Sequence, residues 1–200
     1  MVVDMGEHLD YDIWKEDQYK KYTSYIKKDV KSVLDVGCGR GEWLSLLKKK
    51  GFDTYGCDTD NRCINKSSNF GSVKKVDIMS LTDSYKTNQF DLVTAFHILE
   101  HVTSPLKGLE QIKKVSKKYV LTAVPNARYI SQDERLTHIY SWNGDTFTNL
   151  IKKAGLKVVS IKQDRTNVFP NLVRSTPVLN RALLRMFIGP NELIVLCSKK

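Results

Sequence analysis

The chain has 200 residues, of which 41% are hydrophobic and 27% are charged, the balance of an ordinary soluble protein. Its formal net charge is +10, and no apolar run approaches the ~20 residues of a membrane-spanning helix. These values exclude a protein with helical membrane spans and predict a single domain, 1–200, with enough residues for a sizeable core.

The chain opens on a helical pattern and then alternates between strands and helices. Aromatic and apolar residues at helical spacing, among them Tyr11, Trp14 and Tyr22, predict an N-terminal helix over 10–28. Strands are predicted at 32–37, 52–58, 71–78 and 89–96. The intervening helices are predicted at 41–50 and 61–68, the second of them weakly.

The second half continues the alternation. A helix is predicted over 104–118, with Ser104 as its N-cap and Pro105 at its first position. A strand at 119–125, a helix at 143–155, and strands at 156–162 and 192–200 follow. Strands that alternate with helices predict an α/β fold, whose mostly parallel sheet is covered by helices on both faces.

The acidic start and the cysteines predict a cytoplasmic protein. Asp4 and Glu7 stand where a secretory signal would have a basic and then an apolar region. The four cysteines form neither a Cys-x-x-Cys pair nor the spacing of a zinc site; they are Cys38, Cys57, Cys63 and Cys197. We expect reduced thiols, no metal site and no stable membrane insertion. A redox role for Cys38 and Cys57 is the alternative to simple packing.

The positive charge has two interpretations. One is a nucleic-acid partner, since the sequence pI is 9.4. The other is local, because lysines end two predicted helices in LLKKKG and LIKKAG, just before Gly51 and Gly155. Cations there complement the helix dipole, and the glycine supplies a left-handed cap. The lysines are spread along the chain, so we favour the local interpretation.

The stretch VLDVGCGRGEW, Val33 to Trp43, leads from a strand into a helix through Gly37, Gly39 and Gly41. Such a loop directs backbone N–H groups towards a ligand at the carboxyl edge of the sheet. A dinucleotide needs Gly-x-Gly-x-x-Gly, but here Glu42 stands at the third glycine position. Because a carboxylate there is unfavourable for a pyrophosphate, the loop favours a ligand without a phosphate.

The motifs LDVGCGRG, YGCDTD, VDI and FDLVTAFHILEHV occur in this order over residues 31–160. Together they resemble class I S-adenosylmethionine-dependent methyltransferases, and the last one resembles the broad type 11 subgroup. Members of that subgroup methylate small molecules, lipids and sugars as well as RNA and protein. The resemblance implies a single Rossmann-like, doubly wound sheet of about seven strands, with an antiparallel last strand and S-adenosylmethionine as the cofactor.

The resemblance also implies a role for each motif residue. Asp58 takes the ribose hydroxyls with Thr59 beside it, and Asp77 accepts from the adenine amino group with Ile78 beside the ring. Asp35, Phe96 and His97 are assigned to the methionine part of the cofactor. The backbone of Gly37, Cys38 and Gly39 is assigned to the methionine and ribose part, and Gly41 completes the cofactor-binding loop. The alternatives are that Asp58 only caps the next helix and that Asp77 is only a turn residue.

The reaction implied is methyl transfer by in-line displacement at the sulfonium, which yields S-adenosylhomocysteine. A hydroxyl acceptor benefits from a base, and histidine suits that task near neutral pH. The candidates are His97 and His101, which follow the fourth strand, and His138, which follows the fifth; His101 and His138 are the two that we select. Their alternative roles are packing of the LEHV turn by His101 and capping by His138.

The expected class of methyl acceptor rests mainly on motifs that this sequence lacks. The chain reads FHIL where amino-directed nucleic-acid methyltransferases carry Asn/Asp-Pro-Pro-aromatic, and no nucleophilic cysteine suits cytosine C5 methylation. We expect a small or medium acceptor, a hydroxyl or amine of a glycan, lipid or metabolite, near an insertion at 165–190 that contains Arg181 and Arg185. RNA or protein is the alternative acceptor; a nicotinamide-dependent oxidoreductase and a non-catalytic nucleotide-binding protein are the other function classes.

Overall fold

The computed structural model describes residues 18–127, 138–164 and 192–199. Seven strands in these ranges form one sheet: β1 (Ser32–Val36), β2 (Asp53–Asp58), β3 (Ser72–Lys75), β4 (Phe90–Phe96), β5 (Ser116–Pro125), β6 (Leu156–Asp164) and β7 (Glu192–Lys199). The strand order is β3-β2-β1-β4-β5-β7-β6. In this sheet β7 runs in the direction opposite to the other six strands. The predicted mostly parallel sheet with an antiparallel last strand is confirmed.

Helices cover both faces of this sheet, as predicted. They are α1 (Glu42–Lys49), α2 (Asn61–Ser67), α3 (Pro105–Val115) and α4 (Gly144–Lys153). Short 3₁₀ segments lie at Ser68–Phe70, Ile78–Asp83 and Leu99–His101, and the second of them is kinked at Ser80. Strand side chains alternate between the faces, because the pleat has a period of two. In β4, Val93 packs with the α3 and α4 side, whereas Leu92 packs with α1 and a helical segment at 18–23.

Several predicted boundaries are wrong for local reasons. The N-terminal helix, predicted to 28, gives way to a turn at 24–25. The helix predicted over 104–118 ends at Val115, because Ser116 already pairs with Phe90 in the sheet. Ser104 does occupy the N-cap position, but its side chain makes no capping hydrogen bond. The strand predicted over 71–78 ends at Lys75.

Two other predictions lie outside the described residues: the part of the N-terminal helix at 10–17, with Tyr11 and Trp14, and the 165–190 insertion.

The lysine-rich helix ends are confirmed as local structure. Basic residues occupy the last turns of α1 and α4, and the glycines that follow have left-handed φ angles, 84° at Gly51 and 76° at Gly155. In the described ranges, none of the helices is both long and apolar enough to cross a membrane.

Candidate active site

A cavity of about 330 Å³ opens beyond the carboxyl ends of β1, β2, β3 and β4. It is lined by six residues that sequence reasoning assigned to the site, namely Gly37, Asp58, Thr59, Asp77, Ile78 and His101. The residues converge because parallel strands bring their carboxyl ends to one edge, where ligands of doubly wound sheets bind. The volume is in the usual range for small-molecule sites.

Asp58 ends β2, and its carboxylate is held by two backbone amides. Oδ2 accepts from the N–H of Gly39 at 2.9 Å, and Oδ1 accepts from the N–H of Asp60 at 2.9 Å. The N-cap of α2 is Asp60, which accepts from the N–H of Arg62 at 2.8 Å. The alternative that Asp58 caps this helix is therefore wrong. Its oriented oxygens keep lone pairs for two further donors.

Asp77 is a turn residue whose side chain also lines the cavity. One oxygen accepts from the N–H of Met79 at 2.8 Å and caps the 3₁₀ turn Ile78–Asp83. The same side chain lines the cavity next to Ile78, which is buried. The turn fixes the carboxylate in place beside an apolar surface, an arrangement that suits a flat ring carrying an amino group.

The loop glycines Gly39 and Gly41 differ in what surrounds them. Both have left-handed φ angles, but a Cβ would meet open space at Gly39. At Gly41, a Cβ would lie 2.8–2.9 Å from atoms of Ser67 and Phe70. Gly41 therefore allows α1 to approach the end of α2, so what lies against this part of the loop is protein.

Asp35 lies beneath the loop in a buried position. Its Oδ1 accepts from the hydroxyl of Thr94 at 2.7 Å, and the Thr94 oxygen accepts from the indole N–H of Trp43 at 3.2 Å. Thr94 and Trp43 are supporting residues that sequence reasoning missed. Thr94 lies in a stretch that predicts only a strand, and Trp43 lies in one that predicts only a helix. Their contacts that orient Asp35 become visible only in the folded structure.

Cys38 and Cys57 are buried thiols. Burial raises the pKa of Cys38 to about 12, and burial likewise raises the pKa of Cys57. A thiol with a raised pKa is a poor nucleophile. Both cysteines therefore suit packing rather than redox chemistry.

Phe96 is the last residue of β4 and His97 follows it, and neither residue lines this cavity. The ring of Phe96 packs 4.2 Å from that of Tyr22 and 5.4 Å from that of Trp43, between centroids. This packing belongs to the face covered by α1 and the segment at 18–23. The structure thus places the two residues beside the helical segment rather than among the cavity-lining side chains.

His97 has a left-handed φ of 53° and bridges two buried glutamates. Its Nε2 lies 2.8 Å from Oε1 of Glu192, and its Nδ1 lies 3.5 Å from Oε1 of Glu100. Burial lowers its pKa, but the contacts with Glu100 and Glu192 outweigh burial and raise the pKa of His97 to about 10. Gln18 donates to Glu192 at 2.7 Å, and the Tyr22 hydroxyl donates to the same oxygen.

His101 and His138, two of the candidate bases, lie close together in the structure. Their ring centroids are 4.8 Å apart at an angle of 72°. The segment that carries His138 is anchored, because Ile139 and Tyr140 donate their N–H groups to the Glu100 carbonyl at 2.9 and 3.2 Å. His101 lines the cavity, so the pair stands at its edge.

The electrostatics of the cavity distinguish between ligand classes. Its lining includes the carboxylates of Asp58 and Asp77, and none of its described residues is a lysine or arginine. A pyrophosphate would face two negative charges with no cation opposite, which is unfavourable. A ligand with hydroxyl and amino donors suits the same surface.

Comparisons with known proteins agree with this geometry. A family model described as a methyltransferase domain matches residues 11–161. A protein of Geobacillus sp. named as a methyltransferase is 27% identical over 151 residues, which are 66% of this chain and 61% of that protein. The ubiquinone biosynthesis O-methyltransferase of Coxiella burnetii is 30% identical over 104 residues, 46% of this chain and 44% of that enzyme. The matches thus span less than two thirds of either relative.

The fold is shared with solved structures. A methyltransferase from Archaeoglobus fulgidus, described as dependent on S-adenosylmethionine, superposes with a TM-score of 0.72 at 20% identity. The superposition covers 94% of each chain.

Proposed function

The chain belongs to the family of S-adenosylmethionine-dependent methyltransferases, and on that premise we propose that it methylates a hydroxyl of a small or medium-sized acceptor. The methyl transfer and the cofactor follow from the family; the acceptor is the proposal. The observation that carries it is the pair His101 and His138 at the edge of a cavity lined by Asp58 and Asp77.

We assign the cofactor to this cavity. Asp58 accepts from both ribose hydroxyls, because its oxygens are already oriented by the N–H groups of Gly39 and Asp60. Asp77 and Ile78 also line this cavity. In this proposal Asp77 would accept from the adenine amino group, and Ile78 would contact the ring. The remaining polar contacts, to the methionine part, come from Asp35 and the loop at Gly37 to Gly39.

When bound, the cofactor supplies an electrophilic methyl group on a sulfonium, whose leaving group is a neutral thioether. The protein therefore needs chiefly to align the acceptor and exclude water. His101 and His138 hold and accept the acceptor proton in this proposal. His97 is unsuited to that task, because its carboxylate partners keep it cationic near neutral pH.

A hydroxyl acceptor is favoured over an amine by two observations. Two imidazoles adjoin the cavity edge, and a hydroxyl needs a proton acceptor more than a neutral amine does. The Coxiella burnetii relative is, by its name, an O-methyltransferase. Glycans, lipids and hydroxylated metabolites all offer such a group.

RNA is the second candidate acceptor, and the observation that favours it is the net charge of +10. Against it, lysines that contribute to this charge occupy the last turns of α1, α3 and α4, where they complement helix dipoles. Protein acceptors are the third class, and no described contact favours them.

The test combines binding with transfer. Calorimetry should show micromolar affinity for S-adenosylhomocysteine and none for NAD; binding of NAD alone would contradict the cofactor assignment.

The enzyme is then incubated with S-adenosylmethionine labelled in its methyl group, separately with hydroxylated small molecules and with bulk tRNA. We expect label in the small molecules. Label in tRNA, with submicromolar binding that persists at physiological salt, would establish the RNA alternative.

A further inference from the structure

We propose that Glu100, His101 and His138 bind one divalent cation of the first transition series at the edge of the cavity. Sequence reasoning expected no metal site, because it considered cysteine spacing. The fold assembles a different set of donors, two imidazole nitrogens and a carboxylate oxygen. Two neighbouring residues of one turn and a third residue from a distant segment supply them.

The donor atoms are close enough for a single ion. One ligand atom from each of the three side chains lies within 4.8 Å of the other two. Metal–ligand bonds of about 2.1 Å separate neighbouring ligands of one ion by about 3 Å and opposite ligands by about 4 Å. Because the separations reach up to 4.8 Å, the three side chains would rotate towards one another to share an ion.

The burial of Glu100 points independently to a cation. Glu100 is 1% exposed, and its ion-pair contact with His97 is long, at 3.5 Å. Neither of its carboxylate oxygens accepts a hydrogen bond from any residue in the described ranges. A buried carboxylate is costly unless it is paired, hydrogen-bonded or coordinated to a metal. A cation shared with His101 and His138 supplies this coordination.

The backbone holds the three donors in position. Glu100 and His101 lie in the 3₁₀ turn Leu99–His101. The carbonyl of Glu100 accepts the N–H groups of Ile139 and Tyr140, which holds the backbone next to His138 in place. The Tyr140 hydroxyl donates to the carbonyl of Thr103 at 3.0 Å and adds a third link. Preorganised donors of this kind are typical of metal sites.

The donor types select the kind of ion. Imidazole nitrogens suit Zn²⁺, Fe²⁺, Co²⁺ and Ni²⁺, whereas Mg²⁺ and Ca²⁺ prefer oxygen ligands. Three protein ligands leave coordination positions for water or for an acceptor hydroxyl. With an ion bound, the two imidazoles would be ligands and would no longer accept the acceptor proton. The ion would then make a bound hydroxyl more acidic: its O–H bond breaks, the proton passes to solvent water, and the electron pair stays on oxygen. This role rests on the proposed function, but ion binding itself does not.

Metal titration tests the site directly. Full-length protein is treated with a chelator, desalted and titrated with Zn²⁺ by calorimetry, and the Co²⁺ complex is examined by visible absorption. We expect one ion per chain and a Co²⁺ spectrum without thiolate charge-transfer bands. His138→Gln and His101→Gln should each weaken Zn²⁺ binding at least about a hundredfold, since even supporting residues of metal sites contribute 10–100-fold. Glu100→Gln should do the same if it folds.

The matched control is Glu110→Gln, which changes an exposed glutamate of α3 and should leave Zn²⁺ binding unchanged. Unchanged binding in a folded His138→Gln protein, no binding by the wild type, or thiolate bands in the Co²⁺ spectrum would each overturn the site. Affinity for S-adenosylhomocysteine and thermal melting are measured on the same samples. Zn²⁺ binding without S-adenosylhomocysteine binding refutes the proposed function alone, and the reverse result refutes the metal site alone.

Discussion

His97 and Glu192 are 95 residues apart in the chain, yet His97 Nε2 lies 2.8 Å from Glu192 Oε1. His97 follows the last residue of β4, and Glu192 is the first residue of β7. Gln18 and Tyr22, from the helical segment at 18–23, donate to the same glutamate. One buried carboxylate thus joins the N-terminal segment to two strands of the sheet.

Glu192→Ala should destabilise the protein by about 1–3 kcal/mol, because it removes the acceptor of the buried Gln18 and Tyr22 and leaves the partly exposed His97 with one carboxylate partner fewer. Urea unfolding measures the change. The matched control is Asp164→Ala, at the end of β6, which breaks a more exposed ion pair with Lys21 at 3.6 Å. We expect the control to change the free energy of unfolding by no more than about 1 kcal/mol. Equal effects would show that the buried network contributes no more than a surface pair.

Asp58→Ala should weaken binding of S-adenosylhomocysteine by about 2–4 kcal/mol, because two charge-assisted hydrogen bonds to the ribose are lost. Calorimetry measures the affinity. Asp60→Ala is the control two residues away: it removes the N-cap of α2 and should lower the melting temperature while the affinity changes little. An Asp58→Ala protein that binds normally would contradict the assignment of the ribose to this carboxylate.

Gly41→Ala should destabilise the fold by about 2–5 kcal/mol, since it adds the left-handed strain of a non-glycine residue to a clash with Ser67 and Phe70. Gly51→Ala carries a similar φ, 84° against 87°, but its Cβ would meet nothing within 4 Å. It should therefore cost only about 1–2 kcal/mol. Thermal or urea unfolding of both variants separates the cost of backbone strain from the cost of the steric clash. Equal losses of stability would mean that Ser67 and Phe70 move aside at little cost when a Cβ is added at Gly41.

Asp91→Asn should destabilise the protein at neutral pH and progressively less in acid. Burial raises the pKa of Asp91, but the N–H groups of Lys31 and Ser32 and the ammonium of Lys118 outweigh burial and lower it. A lowered folded-state pKa stabilises the protein fully above the unfolded value, near ~3.9, and this contribution disappears as pH falls through the folded value.

Unfolding in urea at several pH values measures the difference between wild type and Asp91→Asn. The exposed Asp83→Asn is the control and should change stability little at any pH. A difference for Asp91→Asn that stays constant from neutral pH to below about pH 4 would contradict a role for the ionised carboxylate.

Much of the fold and of the lining of the candidate site was predictable because the signals are local. The alternation of strands and helices predicts the sheet, and Asp58 and Asp77 follow strands whose carboxyl ends must meet at one edge. The glycine loop lies between a strand and a helix, and Gly51 ends its helix as the sequence indicated. These features depend on neighbours within a few residues, so the sequence alone determines them.

Tertiary structure decided the rest, because contacts between distant segments leave no periodic signal. Nothing near Glu192 or His97 in the sequence indicates their pairing. From the sequence, Gly41 is interpreted as a glycine that faces a ligand, whereas in the structure the end of α2 packs against it. The end of helix α3 also depended on the sheet, since pairing of Ser116 with Phe90 overrides the lysine-rich helical pattern. Likewise, Glu100 meets His138 only because backbone hydrogen bonds bring two distant segments together around a buried carboxylate.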